Sequence, residues 1–230
     1  MTLRSTAFAA TLLATTVLSG MATVQAAPQP AAPASAPGGA ALLPVKADPA
    51  TGKILLTLPA PDAEGIAGRY IYANGLASGL GSPNTRLDRG MVGSTELLVF
   101  RRYGKKIAVQ FENPRYRSTV GEPAEKAGAR DSFAISTIWM GDIVSTEADG
   151  RVVVDIAPFL TRDIMGVAGR LAEGGGKGYK LVEGLSAPDL TSVKVFPDNI
   201  EMEAMQTFAS DTPGKEVDAI APDGRQVSFV

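Results

Sequence analysis

Residues Glu96-Leu97-Leu98-Val99-Phe100-Arg101-Arg102-Tyr103-Gly104-Lys105-Lys106-Ile107-Ala108-Val109-Gln110-Phe111-Glu112 decide the fold class. Two arms with short apolar runs flank Tyr103-Gly104-Lys105, a turn signal at hairpin spacing. In the second arm Ile107, Val109 and Phe111 alternate with Lys106, Gln110 and Glu112, which predicts a half-buried strand with one wet face. Asn113-Pro114 ends it. A hairpin this clear in the middle of the chain predicts an antiparallel sheet.

The flanking segments extend that reading. Residues 132–146 predict a long strand, with Phe133, Ile135, Trp139 and Ile143 on one face and Ile138, Met140 and Val144 on the other. Apolar residues on both faces predict a central or sandwiched strand. Ala148-Asp149-Gly150 turns the chain into a second strand over Arg151–Ile156. Upstream, Asp48 to Lys53 is a turn, Ile54 to Leu58 a short strand closed by Pro59, and Pro61 to Gly65 another turn. Arg69 to Tyr72 reads as a strand or a helix end. Downstream, Val193–Phe196 and Ile200–Phe208 predict two strands split by Pro197-Asp198-Asn199. One helix is predicted over about 162–172, with Thr161 as N-cap, Asp163 in the first turn, and Ile164, Val167, Ala168 and Leu171 as its apolar face. Gly174-Gly175-Gly176 ends it. The sum is mainly β with some α (α+β): an antiparallel sheet or sandwich with hairpins and one or two short helices.

The chain has 230 residues, with 22 Lys and Arg against 24 Asp and Glu, no His and no Cys. That length fits a domain able to bury its own core. Without histidine there is no Ser-His-Asp triad and no His-ligated zinc; without cysteine there is no thiol nucleophile, disulfide or thiolate metal site. The slightly acidic balance excludes the basic footprint of a nucleic-acid binder. Residues 1–26 read as a secretory signal peptide: Arg4 in the n-region, an apolar run from about Ala7 to Leu18, and Val24-Gln25-Ala26 as cleavage site. Residues 27–44 read as an Ala/Pro-rich linker. Residues 45–230 form the single β-rich domain, expected to be cut short at its C-terminal end. No later stretch is long and apolar enough to span a membrane.

Chemical motifs fail one by one. Gly176-Lys177 is followed by Gly178, and Leu171 stands where a P-loop needs its first glycine. Gly79-Leu80-Gly81-Ser82-Pro83-Asn84 lacks the last glycine of a dinucleotide loop. Gly184-Leu185-Ser186-Ala187-Pro188 has proline where a nucleophile elbow needs glycine, and no lysine has a serine three residues before it. Carboxylates among apolar neighbours are Asp88, Asp142, Asp155 and Asp163. Asp163 reads as a helix first-turn charge, and Asp142 and Asp155 as strand-end charges. Asp62 and Asp149 lie in turns that match no EF-hand loop. Arg86, Asp88 and Arg89 read as a structural ion-pair cluster beside the glycine-rich loop, and as a candidate contact with a further domain. No catalytic, cofactor-binding or metal residue is assigned.

An ordered set of short motifs carries a resemblance. It runs from Gly79-Leu80-Gly81-Ser82 and Arg86-Leu87-Asp88-Arg89-Gly90 through Leu98 to Lys106, then Glu112-Asn113-Pro114-Arg115-Tyr116-Arg117. Val154-Asp155-Ile156-Ala157-Pro158-Phe159-Leu160-Thr161-Arg162-Asp163 and Phe196-Pro197-Asp198-Asn199-Ile200-Glu201 follow. Over roughly residues 50–230 the chain resembles the uncharacterised N-terminal domain of secreted bacterial zinc-dependent metalloproteases. The resemblance implies a downstream H-E-x-x-H domain that holds the zinc. This chain has no histidine, so no catalytic residue carries over and zinc is expected only in that other domain. Asp223 to Val230 reads as a turn and the first part of a strand that would continue. The implied role is a non-catalytic front module of an exported metalloprotease-like protein, periplasmic or extracellular in a Gram-negative bacterium. Its partner would be the catalytic domain or a protein or peptide. A stand-alone exported binding domain is the alternative.

Overall fold

In the computed structural model, residues 40–115 and 120–230 are described, the side chains of 129–131 excepted. The signal peptide 1–26, most of the linker 27–44, and Tyr116 and Arg117 of the resemblance lie outside the described residues. The chain opens with strands β1 (Val45–Asp48) and β2 (Lys53–Leu58), joined by a turn that Asp48 holds by accepting from Ala50 N at 3.0 Å and the Thr51 hydroxyl at 2.7 Å. Strand β3 (Ile66–Tyr72) follows, then a long loop, then the central hairpin β4 (Glu96–Tyr103) and β5 (Lys106–Glu112). Next come helix α1 (Pro123–Asp131), the hairpin β6 (Ser136–Thr146) and β7 (Val152–Asp155), and helices α2 (Ala157–Leu160) and α3 (Val167–Glu173). The last part is β8 (Lys180–Leu181), a 3-10 turn at Glu183–Leu185, β9 (Ala187–Val195), β10 (Ile200–Ala209), α4 (Lys215–Ile220) and β11 (Gln226–Phe229). No helix among the described residues is long and apolar enough to cross a membrane.

The fold is mainly antiparallel β, as the alternation predicts. Seven strands form one curled sheet in the order β1-β2-β7-β6-β5-β4-β3. The β4–β5 turn is tighter than the sequence reading: Tyr103 pairs with Lys106, leaving Gly104 and Lys105 as the loop. Gly104 has φ 59°, the left-handed first position of a II′ turn, whose twist matches the strands. The inner face of the sheet carries Ile54, Leu56, Leu58, Leu98, Phe100, Ile107, Val109, Val152 and Val154, all buried. Each such side chain contributes about 1.5–3 kcal/mol on burial. Exposed ion pairs such as Lys106–Asp142 (3.0 Å) contribute about 0–1 kcal/mol. The apolar face, not the surface charge, therefore holds the sheet together.

A second core joins Leu76, Leu80 and Leu87 of the long loop to Val167 and Leu171 of α3, Val217 of α4, and Phe208, Val227 and Phe229 of the smaller sheet. Strand β10 serves both cores. Its first half pairs with β9, and this hairpin lays Leu190, Val193, Ile200 and Met202 on the first core. Its second half pairs with β8 and β11 and buries Phe208 in the second core.

The sequence reading needs correction in several places. β5 has no wet face: Ala108 and Gln110 are buried, Gln110 donating to Thr137 Oγ1 at 2.9 Å and Tyr103 Oη at 3.3 Å. The strand over 132–146 starts at Ser136; Phe133 and Ile135 precede it and are exposed, and two bulges break its alternation, so Ile138 also packs on the inner core. β6 is central, as predicted, but it is not sandwiched, because Met140 and Val144 stay exposed. The helix predicted from 162 starts at Val167, and Thr161 instead follows α2. Gly166, at φ 67°, forces the later start, and the Asp163 carboxylate still accepts from Val167 N and Ala168 N at 2.7 and 3.0 Å. Leu42 and Leu43, assigned to the linker, join the fold: Leu43 is buried in the first core and Leu42 N donates to the Phe196 carbonyl at 2.9 Å. At the C-terminal end β11 is an edge strand of the smaller sheet. β11 pairs with β10, and the Val230 backbone oxygen accepts from Ala77 N and Ser78 N at 2.6 and 3.1 Å.

Candidate functional site

The residues best arranged for recognition gather where α2 and the 161–163 connection meet β6, β8 and β9. Asp155 ends β7 by accepting from Ile54 N and Ala157 N, both at 3.1 Å, so the chain turns directly into α2. Pro158 at the start of α2 fixes its first turn. α2 ends after four residues and delivers Arg162 beside the sheet. There Tyr72, Phe111, Trp139 and Phe159 form an aromatic cluster. Centroids are 5.9 Å apart for Tyr72–Phe111, 5.8 Å for Tyr72–Phe159 and 6.0 Å for Trp139–Phe159. The indole lies against Gly141, where an added Cβ would come within 2.1 Å of the ring.

The Arg162 guanidinium stands 4.5 Å from the Phe159 ring centroid, a cation–π distance. Its Nε donates to the Phe159 carbonyl at 3.1 Å, and Nη1 donates to the carbonyl of Ile138, the extra residue of the β6 bulge. Nη2 is buried and makes no hydrogen bond. None of the ion pairs among the described residues includes Arg162. Burial pulls its pKa below the ordinary guanidinium range, opposed by Tyr72. Burial raises the Tyr72 hydroxyl in turn, against a hydrogen bond with Asn74 and the charge of Arg162. The backbone of Arg162 is held from the second sheet: Gln206 Nε2 donates to the Leu160 and Arg162 carbonyls at 2.8 and 2.7 Å.

Beside Arg162 runs a groove of about 610 Å³, lined by Trp139, Pro158, Leu181, Glu183, Ser186 and Pro188. A second groove of about 610 Å³ lies beside β10 and β11, with Leu185, Met205 and Ile220 exposed along it. The first is the stronger candidate of the two, because it pairs the Trp139 indole with a guanidinium that has no counter-charge.

The residues singled out in the sequence lie elsewhere or do structural work. Arg86, Asp88 and Arg89 do not form an ion-pair cluster: all three are exposed, and no ion pair among the described residues joins them. Leu87 between them is fully buried and anchors the loop instead. The loop is fastened by Glu216, which accepts from the Ser82 hydroxyl and from Asn84 Nδ2, the latter at 2.9 Å. Those two bonds, Ser82 first, hold the Glu216 carboxyl below the ordinary range. Asp142 pairs with Lys106 across the strands, Asp149 with Arg151 at 2.7 Å, and Asp62 accepts from Glu64 N and Ile66 N. Among the described residues no three carboxylates come together in a way that could hold a metal ion. Arg162 was reachable only as part of the Val154–Asp163 motif. Nothing local marks it, since Tyr72, Trp139 and Gln206 come from distant parts of the chain.

A family model described as a domain of unknown function, DUF5117, matches residues 90–227, more than half of the chain. The matched span holds Trp139, Phe159, Arg162 and Gln206. No curated protein and no solved structure matches the chain. The uncharacterised-domain part of the resemblance therefore stands: the chain belongs to the DUF5117 family of domains of unknown function.

Proposed function

We propose that the chain is a non-catalytic interaction module of an exported protein, working beside a zinc-dependent protease domain and contacting a protein or peptide. The observation that carries this reading is the groove at Arg162, lined by the Trp139 indole and by a guanidinium that has a buried, unpaired nitrogen and no counter-charge. The sequence supports the non-catalytic part, since it has neither histidine nor cysteine. Of the four carboxylates set among apolar residues, Asp142 is engaged with Lys106 and Asp155 and Asp163 with backbone N–H groups, while Asp88 is exposed. Export and the protease association rest on the signal-like residues 1–26 and on the ordered motif resemblance.

The test expresses the full chain in a Gram-negative host. Recovery from the periplasm with a new N-terminus after Ala26 is expected, with no casein hydrolysis in the presence or absence of added zinc. Hydrolysis by the purified chain would overturn the non-catalytic reading, and recovery from the cytoplasm alone the exported one. Co-purification with an H-E-x-x-H protein of the source cell is the result expected of the protease association. If the chain purifies alone and still binds peptide, a stand-alone binding domain replaces it.

A further inference from the structure

We propose that the groove beside Arg162 captures the C-terminal carboxylate of a peptide whose last side chain is apolar. This rests on reading the chain as a binding module, and names what it binds. A half-buried guanidinium needs an anion or a full set of acceptors. Arg162 has two backbone carbonyls as acceptors, and its third nitrogen is buried with none. Carbonyls satisfy its N–H groups but leave its charge uncompensated. A carboxylate supplies both the missing acceptor and the counter-charge, in a charge-assisted bond. Because Nη2 is buried, a ligand reaches it by displacing part of the groove wall. Glu183, on the exposed turn Glu183–Leu185, is part of that wall.

The walls decide which carboxylate. Trp139, Pro158, Leu181 and Pro188 are apolar, and the two other charged residues of the groove, Asp163 and Glu183, are acidic. An acidic stretch of chain would meet Asp163 and Glu183 with like charge. A single terminal carboxylate at Arg162, with one apolar side chain against Trp139, brings the least like charge beside Asp163 and Glu183. Peptide-bond hydrolysis produces such chain ends, so proteolysis is one class of reaction able to supply this ligand.

Trp139 is the one tryptophan of the chain and lines the groove, so its emission reports occupancy directly. The full chain is titrated with acetyl-Ala-Ala-Leu bearing a free carboxylate, with its C-terminal amide, and with acetyl-Ala-Asp-Leu amide. The free acid is expected to give a saturable change, and both amides to bind roughly ten- to hundredfold more weakly, the loss of one charge-assisted hydrogen bond. Arg162→Met should remove the preference for the free acid. Glu183→Lys, on the exposed rim, should tighten the free acid about three- to tenfold. Equal binding of acid and amide, or no response to any peptide, overturns the proposal. Binding of the aspartyl amide as tightly as the free acid overturns the chain-end assignment. The comparison on the unaltered chain stands even if Arg162→Met fails to fold. Casein hydrolysis and cell fractionation do not enter this readout, so its failure is separate from failure of the module reading.

Discussion

Gln206→Met tests how the second sheet positions Arg162. The Gln206 amide nitrogen makes two bonds, 2.8 Å to the Leu160 carbonyl and 2.7 Å to the Arg162 carbonyl. Methionine keeps the length and apolar stem but removes the donor. Each bond contributes about 1 kcal/mol net, and a carbonyl left unpaired out of water costs about 1–3 kcal/mol. The site is only part-buried, so at least one carbonyl rehydrates, and the expected loss is about 1–3 kcal/mol. For a domain of this size that is a fall in Tm of about 3–10 °C. Gln206→Glu supplies the sharper control. An ionised carboxylate would face two carbonyl oxygens with no proton to offer, so its loss at neutral pH exceeds that of methionine. Protonation restores one donor to the folded state. The deficit of the glutamate variant relative to wild type must therefore shrink as the solution is acidified, while that of the methionine variant stays flat. Thermal melts by circular dichroism at matched pH values measure both, and Trp139 emission reports whether Arg162 has moved. A glutamate deficit at neutral pH no larger than methionine's, or one that does not shrink with acid, would refute the reasoning.

Phe208→Ala should cost about 3–5 kcal/mol, since the ring is fully buried against Phe229 at 6.2 Å, and differential scanning calorimetry should still show one transition. Asp88→Ala should leave the unfolding free energy unchanged within about 0.5 kcal/mol, whereas Leu87→Ala, fully buried, should cost about 2–5 kcal/mol in urea unfolding. Glu216→Ala should release the loop and speed tryptic cleavage after the exposed Arg86 and Arg89. The Glu216 carboxyl has its folded pKa below the ordinary value, so this fastening is present above that value and is lost as pH falls through the folded pKa. A carboxyl titration by NMR should show the low midpoint, and Ser82→Ala should move it back up.

Hairpins whose turn and alternation are local were legible in the sequence. Gly104-Lys105 set the pairing of β4 with β5, and Pro197-Asp198-Asn199 divided β9 from β10. The start of α3 was misplaced because the apolar spacing of Ile164 continues smoothly into Val167, while the break comes from the backbone at Gly166. The buried second face of β5 could not be read from its own residues. Gln110 looks like a solvent residue until Tyr103 and Thr137 of the neighbouring strands meet it. Helices α1 and α4 went unread; Pro123 and Glu125 at the start of α1 were the available signal. The Arg86–Asp88–Arg89 reading failed because alternating charges say nothing of direction, and Leu87 turns inward while its neighbours point out. The groove was invisible for the same reason that it is specific: its walls come from β6, α2 and its exit, β8 and β9, and its support from β10.

The pairing of β2 with β7 has a consequence for the order in which the fold is made. Ile54 N bonds to Asp155 across 101 positions of chain, and Leu55 through Leu58 find their second partner only in β7. The meander β3–β4–β5 pairs neighbours in sequence and can form as it is synthesised. The β1–β2 hairpin emerges first yet must wait, with Ile54, Leu56 and Leu58 unburied, until β7 has been made and folded back. During that interval the edge of β2 is open to the wrong strand. Capture of the β1–β2 hairpin is therefore the step expected to be slow and exposed to aggregation, and conditions that lengthen synthesis between residues 58 and 152 should lower the yield.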